Sequence, residues 1–208
     1  MAYFPMFMDI KGRDCLIVGG GKVALRKVKV LLDFDARVHV VAPYIDENIL
    51  LISKENENLE TYQRNMCEDD FTDKVLVIAA TDESKVNHLI ADMAKERKIP
   101  VNAVDQVEDC TFIFPSYQRE KDVVAAYSSG GNSPVITQYL RNMGGKYLTD
   151  FVGDLAEYLG SIRGYVKENT QNETARKNIY KEIFELALNN EKIPEKYMIE
   201  EIIEKWKE

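Results

Sequence analysis

Short apolar runs alternate with stretches of helical period through the first half of the chain. CLIV at 15–18 predicts a strand, and the segment behind it, 23–32, predicts a helix. RVHVV at 37–41 predicts a second strand, stopped by Pro43, and 59–63 predicts a weaker third. KVLVIAA at 74–80 is a continuous apolar run, the pattern of a strand buried on both faces. Residues 84–98 predict a helix with Val86, Leu89, Ile90 and Met93 on one face, and 100–104 predict a fifth strand. Repeated strand–helix–strand units imply an α/β domain: a parallel sheet with helices on both faces.

The rhythm changes after Asp109. Residues 111–115 and 122–128 read as short β-like runs separated by a polar segment, 116–121. SSGGNSP at 128–134 then leads into a helix over 135–143. From Tyr147 onward the pattern is wholly helical, in three segments broken at 167–172 and 189–194. The expected organisation is an α/β domain over 1–112, a small α+β connecting segment over 113–147, and an α-helical domain over 148–208.

Composition narrows the function classes. Of 208 residues, 45% are hydrophobic and 30% charged, too apolar for disorder and too charged for a fibrous protein. No apolar run is long enough to cross a bilayer, so no membrane association is expected. A net charge of −8 argues against a nucleic-acid partner, which needs a basic face. Cys15, Cys67 and Cys110 are widely spaced with no CxxC, which argues against a disulfide framework and a structural zinc site; no metal ligands are assigned. The first residues lack the charged region and cleavage site of a signal peptide, so the expected location is cytoplasmic.

The strongest local signal is VGGGKVA, in which Gly19, Gly21 and Ala24 fit GxGxxA directly after a strand and at the start of a helix. Small residues there permit a tight turn, approach of backbone to a pyrophosphate, and close helix–strand contact. The pyrophosphate then lies over the free N–H groups at the positive end of the helix. The usual acidic residue at the end of the second strand is missing: no carboxylate precedes Asp46, and no arginine stands beside Pro43. That rule therefore leaves NAD and NADP open, with NAD favoured. Thr81 and Asp82 follow the fourth strand, where either a cofactor contact or a turn and helix cap suits them. Asp105 follows the fifth strand on the same edge, where it serves either as a proton acceptor or as a turn residue.

In SSGGNSP, Ser133 suits an N-cap and Pro134 the first helical position. With the hydroxyls of Ser128 and Ser129, the loop is either a carboxylate or phosphate site or simply a well-capped helix start. His39 and His88 have no partner pattern and read as structural, and the acidic run 200–208 as a solvated helix face.

Together, FPMFMDIKGRDCLIVGGGKVALRKVKVLL, VAP, VLVIAATDESKVN, VNAVDQVEDCTFIFPS and YSSGGNSPVITQYLR resemble the siroheme synthase N-terminal family, precorrin-2 dehydrogenases that in part are also sirohydrochlorin ferrochelatases. The resemblance covers nearly the whole chain, more loosely at VKENTQNETARKNIYKEIF. It implies a Rossmann-like domain, NAD-dependent oxidation of precorrin-2 to sirohydrochlorin, Fe²⁺ as a second substrate where the chelatase activity is present, and a homodimer formed through the connecting segment. By position, Asp105 becomes the general base. Gly21, Lys22, Val23, Pro43 and Tyr44 would meet the cofactor, and Ser129 the tetrapyrrole. With the residues read above, the expected cofactor set is Gly19, Gly21, Lys22, Val23, Pro43, Tyr44, Thr81 and Asp82, and the expected tetrapyrrole set Ser128, Ser129, Gly130, Asn132 and Arg119. Lys22 departs from the family, where an acidic residue is frequent. Two other readings stand beside this one: a chelatase without dehydrogenase activity, and a regulatory module that senses NAD. Segment 113–147 is the only net-positive one, with Arg119, Lys121, Arg141 and Lys146 against Glu120 and Asp122. It is the expected cleft for a polycarboxylate on an otherwise acidic protein.

Overall fold

Five strands form one parallel sheet, with the most apolar of them at its centre. The computed structural model describes residues 3–207, and the chain divides into two units, the first ending at Phe114 and the second beginning at Pro115. The first unit contains β1 (Asp14–Val18), α1 (Lys22–Asp33), β2 (Arg37–Val41), α2 (Glu47–Glu55), β3 (Leu59–Tyr62), β4 (Leu76–Ala79), α3 (Ser84–Glu96) and β5 (Val101–Ala103). The strands lie in the order β3-β2-β1-β4-β5, all parallel. This is the expected Rossmann-like arrangement.

Burial explains why the central strands read as unbroken apolar runs. Ile78 and Ala80 face one core with Cys15, Ile17 and Val28, while Val77 and Ala79 face another with Leu16, Ile90 and Ala91. Each successive side chain of β4 is thus removed from water on one side or the other. On α3 the stripe is rotated from the one expected. Leu89 is exposed, and the buried positions are Asn87, Ile90, Ala91 and Ala94. Two alanines let that helix approach the sheet more closely than leucine and methionine could.

Two local expectations for the first unit fail. The helix α2 was not foreseen, and 111–115 is not a strand. That segment is tied to β5 by backbone at Val101, whose carbonyl accepts from Thr111 N (2.8 Å), and by side chains. Thr111 Oγ1 accepts from Val101 N (2.8 Å), and Asn102 Nδ2 donates to the Phe112 carbonyl (3.1 Å).

The second unit opens with an antiparallel hairpin, β6 (Ser116–Glu120) and β7 (Val123–Tyr127), with Glu120 opposite Val123. The segment read as polar connection is therefore itself a strand. Its turn is Lys121-Asp122, with Lys121 in the left-handed region at φ 53°. Next come α4 (Pro134–Gly144), α5 (Asp150–Ser161), α6 (Arg163–Asn169), α7 (Glu173–Asn190) and α8 (Lys196–Lys205). Where three helical segments were expected after Tyr147, there are four: α5 and α6 part at Ile162 (φ −85°, ψ 0°). Val166, Ile179, Ile183, Ile199, Ile202 and Ile203 form the helical core. The acidic run falls largely on α8, with Glu201 and Glu204 exposed, while Glu208 lies outside the described residues. None of the described helices is long and apolar enough to cross a membrane.

Candidate active site

The strand order reverses between β1 and β4, the place where open parallel sheets leave a crevice at their carboxyl edge. Because all five strands are parallel, the segments after β1, β2, β4 and β5 emerge on that one edge. The fold therefore brings Gly19, Gly21, Lys22, Val23, Pro43, Tyr44, Thr81, Asp82 and Asp105 to one side of one sheet.

Close packing shapes the glycine loop. Gly19 has φ 125°, and a β-carbon there would lie 2.2 Å from the Ala80 carbonyl oxygen. A β-carbon on Gly20 would lie 2.1 Å from the Tyr44 carbonyl oxygen, so the loop before α2 leans on Gly20. Gly20 was absent from the expected set, although a run of three glycines where the motif needs two was the available signal. Gly21 differs: a β-carbon there would meet nothing within 4 Å. It is also the N-cap of α1, with no side-chain cap and no acidic residue in the first turn. An uncapped helix start behind open space fits a pyrophosphate, and Ala24, fully buried, supplies the close helix–sheet contact.

After β2, Pro43 and Tyr44 are exposed. Asp46, the first carboxylate, is already used: its Oδ1 accepts from Asn48 N (2.9 Å) and from Asn48 Nδ2 (2.8 Å) as the cap of α2. Those two hydrogen bonds hold its carboxyl below the usual range, and the charge of Lys22 adds to the effect.

After β4, Thr81 is held by buried Asn87. Asn87 Oδ1 accepts from Thr81 N (3.0 Å) and Thr81 Oγ1 (2.8 Å), and Asn87 Nδ2 donates to the Thr81 carbonyl (3.0 Å). Thr81 is thereby a fixed turn beside the crevice, and Asp82 is exposed. Asn87 escaped notice in the sequence, where a polar residue inside a helical stripe was the only sign of it.

After β5, Asp105 is exposed at φ 59°, a conformation that aspartate tolerates better than most residues. Beside it, Gln106 Nε2 donates to the Ser84 carbonyl (3.1 Å), while its Oε1 is buried with no hydrogen-bond partner.

Both histidines have carboxylate partners. Asp14 joins His39 Nε2 (2.8 Å) and Arg37 Nη2 (2.7 Å). His88 Nδ1 lies 2.9 Å from both oxygens of buried Asp109, and its Nε2 lies 3.4 Å from Asp92. The Asp109 hydrogen bond raises the His88 pKa, and the same bond lowers that of Asp109 against the opposing effect of burial. Among the described residues His88, Asp92 and Asp109 are the one group of three placed to hold a metal ion. Lys95 Nζ already lies 3.4 Å from Asp109, so a cation would have to displace it.

In the second unit, the loop before α4 is knit to itself. Ser129 Oγ donates to the Ser133 carbonyl (3.0 Å) and accepts from Ser133 N (2.9 Å), and Ser128 Oγ accepts from Gly130 N (3.0 Å). Asn132 N donates to the Ser129 carbonyl, and Ser133 caps α4 with Pro134 in the first turn. Arg119 stands on β6, and its Nε donates to the Lys121 carbonyl (2.7 Å). It pairs with Val124, three residue pairs from the Ser116–Tyr127 end where the loop begins, roughly 10 Å along the strand. Of the four cations expected to form a basic cleft, Lys121 is neutralised by Asp154 (2.7 Å) and Glu157, on a helix the segment charge count left out.

An NAD(P)-binding family model matches residues 6–116. A siroheme synthase of Nitrosomonas europaea is 39% identical over 168 residues, covering 81% of this chain and 35% of that protein. One of Nitrosospira multiformis is 40% identical over 188 residues, covering 89% and 40%. The chain thus spans well under half the length of these curated relatives. Among solved structures, SirC, a precorrin-2 dehydrogenase, superposes with a TM-score of 0.73 at 21% identity and covers 98% of each chain.

Proposed function

Because this chain belongs to the siroheme synthase N-terminal, NAD(P)-binding family, we propose that it oxidises precorrin-2 to sirohydrochlorin with NAD. The observation that carries the reading is the crevice at the β1/β4 reversal, where the open face of Gly21, the uncapped start of α1 and Asp105 share one sheet edge. NAD, when bound, supplies the hydride acceptor. Gly19 and Gly20 hold the loop against Ala80 and Tyr44, and Gly21, Lys22 and Val23 present backbone N–H groups to the pyrophosphate. Pro43 and Tyr44 border the adenosine side. NAD rather than NADP suits an edge on which Asp46 offsets the charge of Lys22. The substrate loses a hydride and a proton; Asp105 takes the proton, leaving sirohydrochlorin, NADH and H⁺. Fe²⁺ is the second substrate if the same carboxylate assists removal of the ring protons during metal insertion.

The Ser128–Asn132 loop, with Arg119, contributes to tetrapyrrole binding. Residues 113–147 form the dimer contact, residues 148–208 complete the second unit, and the enzyme works in the cytoplasm. Asp105→Asn should bind NAD as wild type and form NADH from precorrin-2 about 10²- to 10⁴-fold more slowly. An unchanged rate would remove Asp105 from the mechanism.

A further inference from the structure

The second unit carries a cavity of about 620 Å³ between α6 and α7, lined by Arg163, Lys167, Glu173, Thr174, Arg176, Lys177 and Tyr180. That volume is in the range of small-molecule sites. Four of the seven lining residues are cations, on a chain whose net charge is −8. Their arrangement follows from helical period. Arg163 and Lys167 are one turn apart on α6, while Glu173, Arg176, Lys177 and Tyr180 fall on one face of α7.

What separates these cations from the rest of the unit is the lack of partners. The other lysines beyond Tyr147 each meet a carboxylate: Lys181 with Glu185, Lys192 with Glu195, Lys196 with Glu200, Lys205 with Glu182, and Lys207 with Glu204. Among the described residues none of the four cavity cations makes an ion pair, although Glu173 stands one turn before Lys177. Arg176 reaches only the Thr170 carbonyl, at 3.4 Å. Thr170 is buried where α6 joins α7, and its hydroxyl has no hydrogen-bond partner. Arg163 and Arg176 both act electrostatically on the Tyr180 phenol, which lines the same cavity. The start of α7 at this end is already capped, with Asn172 Oδ1 accepting from Thr174 N (2.9 Å) and Glu173 in the first turn, so the side-chain cations carry the positive charge of the cavity.

We propose that this cavity is a binding site for a small-molecule polyanion carrying two or more carboxylate or phosphate groups. Two planar guanidinium forks give bidentate contacts, two ammonium groups give point charges, and Thr174 and Tyr180 add hydroxyl donors. A local group of four cations on an acidic protein suits a small ligand better than a nucleic-acid strand, which needs a continuous basic track. The site lies wholly in the second unit, and its assignment is independent of the dehydrogenase reading because its readout is binding.

Isothermal titration of the full chain saturated with NAD, using pyrophosphate, citrate and sirohydrochlorin as probes, tests the proposal. At least one probe should bind in a salt-dependent manner. Lys167→Gln/Lys177→Gln should weaken it about tenfold or more, whereas Lys181→Gln/Lys196→Gln should leave it unchanged. NAD affinity and melting temperature report that each variant is folded. Preference for pyrophosphate identifies a phosphorylated ligand, and preference for citrate or sirohydrochlorin a polycarboxylate. The proposal is overturned if no probe binds, if the cavity variant binds like wild type, or if a mixed-sequence RNA binds more tightly than every probe.

Discussion

Gly20 and Gly21 are neighbours under opposite constraints. The first has no room for a methyl group against the Tyr44 backbone, while the second faces open space at an ordinary φ of −89°. Gly20→Ala should therefore destabilise the protein by roughly 3 kcal/mol, since backbone must move to admit the new carbon. Gly21→Ala should melt within a degree or two of wild type yet bind NAD about tenfold or more weakly, because the methyl group occupies the space the pyrophosphate needs. Thermal melts and NAD titrations of both variants check this, and normal NAD binding by Gly21→Ala would take Gly21 out of the site. The glycine run was legible because its demand is on the backbone and is written in three consecutive letters. Which glycine meets which wall was not, since Ala80 and Tyr44 are distant in sequence. The same distance hid the carboxylates of Asp154 and Glu157 that answer Lys121.

Elements were legible where one period dominates. Strands β1 and β4 are apolar runs with both faces buried, β2 buries Val38, Val40 and Val41 around a half-buried His39, and α1 keeps Ala24, Val28 and Leu31 on a regular stripe. Helix α2 was missed because its apolar residues, Ile49 to Ile52, run consecutively and only Ile49 is buried. Strand β6 was missed because all of its side chains stay half-exposed, so its polar letters match a loop. The contact locking α3 to the turn after β5, His88 with Asp109, spans 21 residues and has no sequence signature. Its pH dependence can be signed. The raised His88 contributes fully below the unfolded imidazole value of ~6.5, and the contribution fades as pH rises through its folded value. The lowered Asp109 contributes above the unfolded carboxyl value of ~3.9, and its contribution is lost as pH falls through its folded value. The pair thus stabilises most between about pH 4 and 6.5. The melting-temperature gap between wild type and His88→Gln should be widest there and narrow by pH 9; a gap unchanged at pH 9 would contradict this account.

At the scale of the molecule, α4 is an amphipathic helix with no buried residue, and it leaves Val135, Ile136, Tyr139 and Leu140 exposed. An apolar face of this kind is the expected mark of a subunit contact, in line with the dimer proposed above. Wild-type protein should sediment as a dimer, and Ile136→Asp/Tyr139→Asp as a folded monomer; a wild-type monomer at micromolar concentration would dispose of that contact. The overall charge was legible from composition, and its placement was not. The segment with a net positive count has its Lys121 neutralised, whereas the net-negative helical segment holds four cations in one cavity with no ion pair among the described residues.

Strand β1 pairs with β2 on one side and β4 on the other, with Cys15 opposite both Val38 and Leu76. The first of those neighbours is about twenty residues away and the second about sixty. Chains are made from the amino terminus, so the glycine loop exists for some time before the residues that floor it. Gly19 reaches its resting place only once Ala80 has left the ribosome and β4 has docked at the sheet's centre. Until then the growing chain has a nucleotide-binding motif and no nucleotide site. Chains truncated before residue 80 should be unable to retain the cofactor, however intact their glycines.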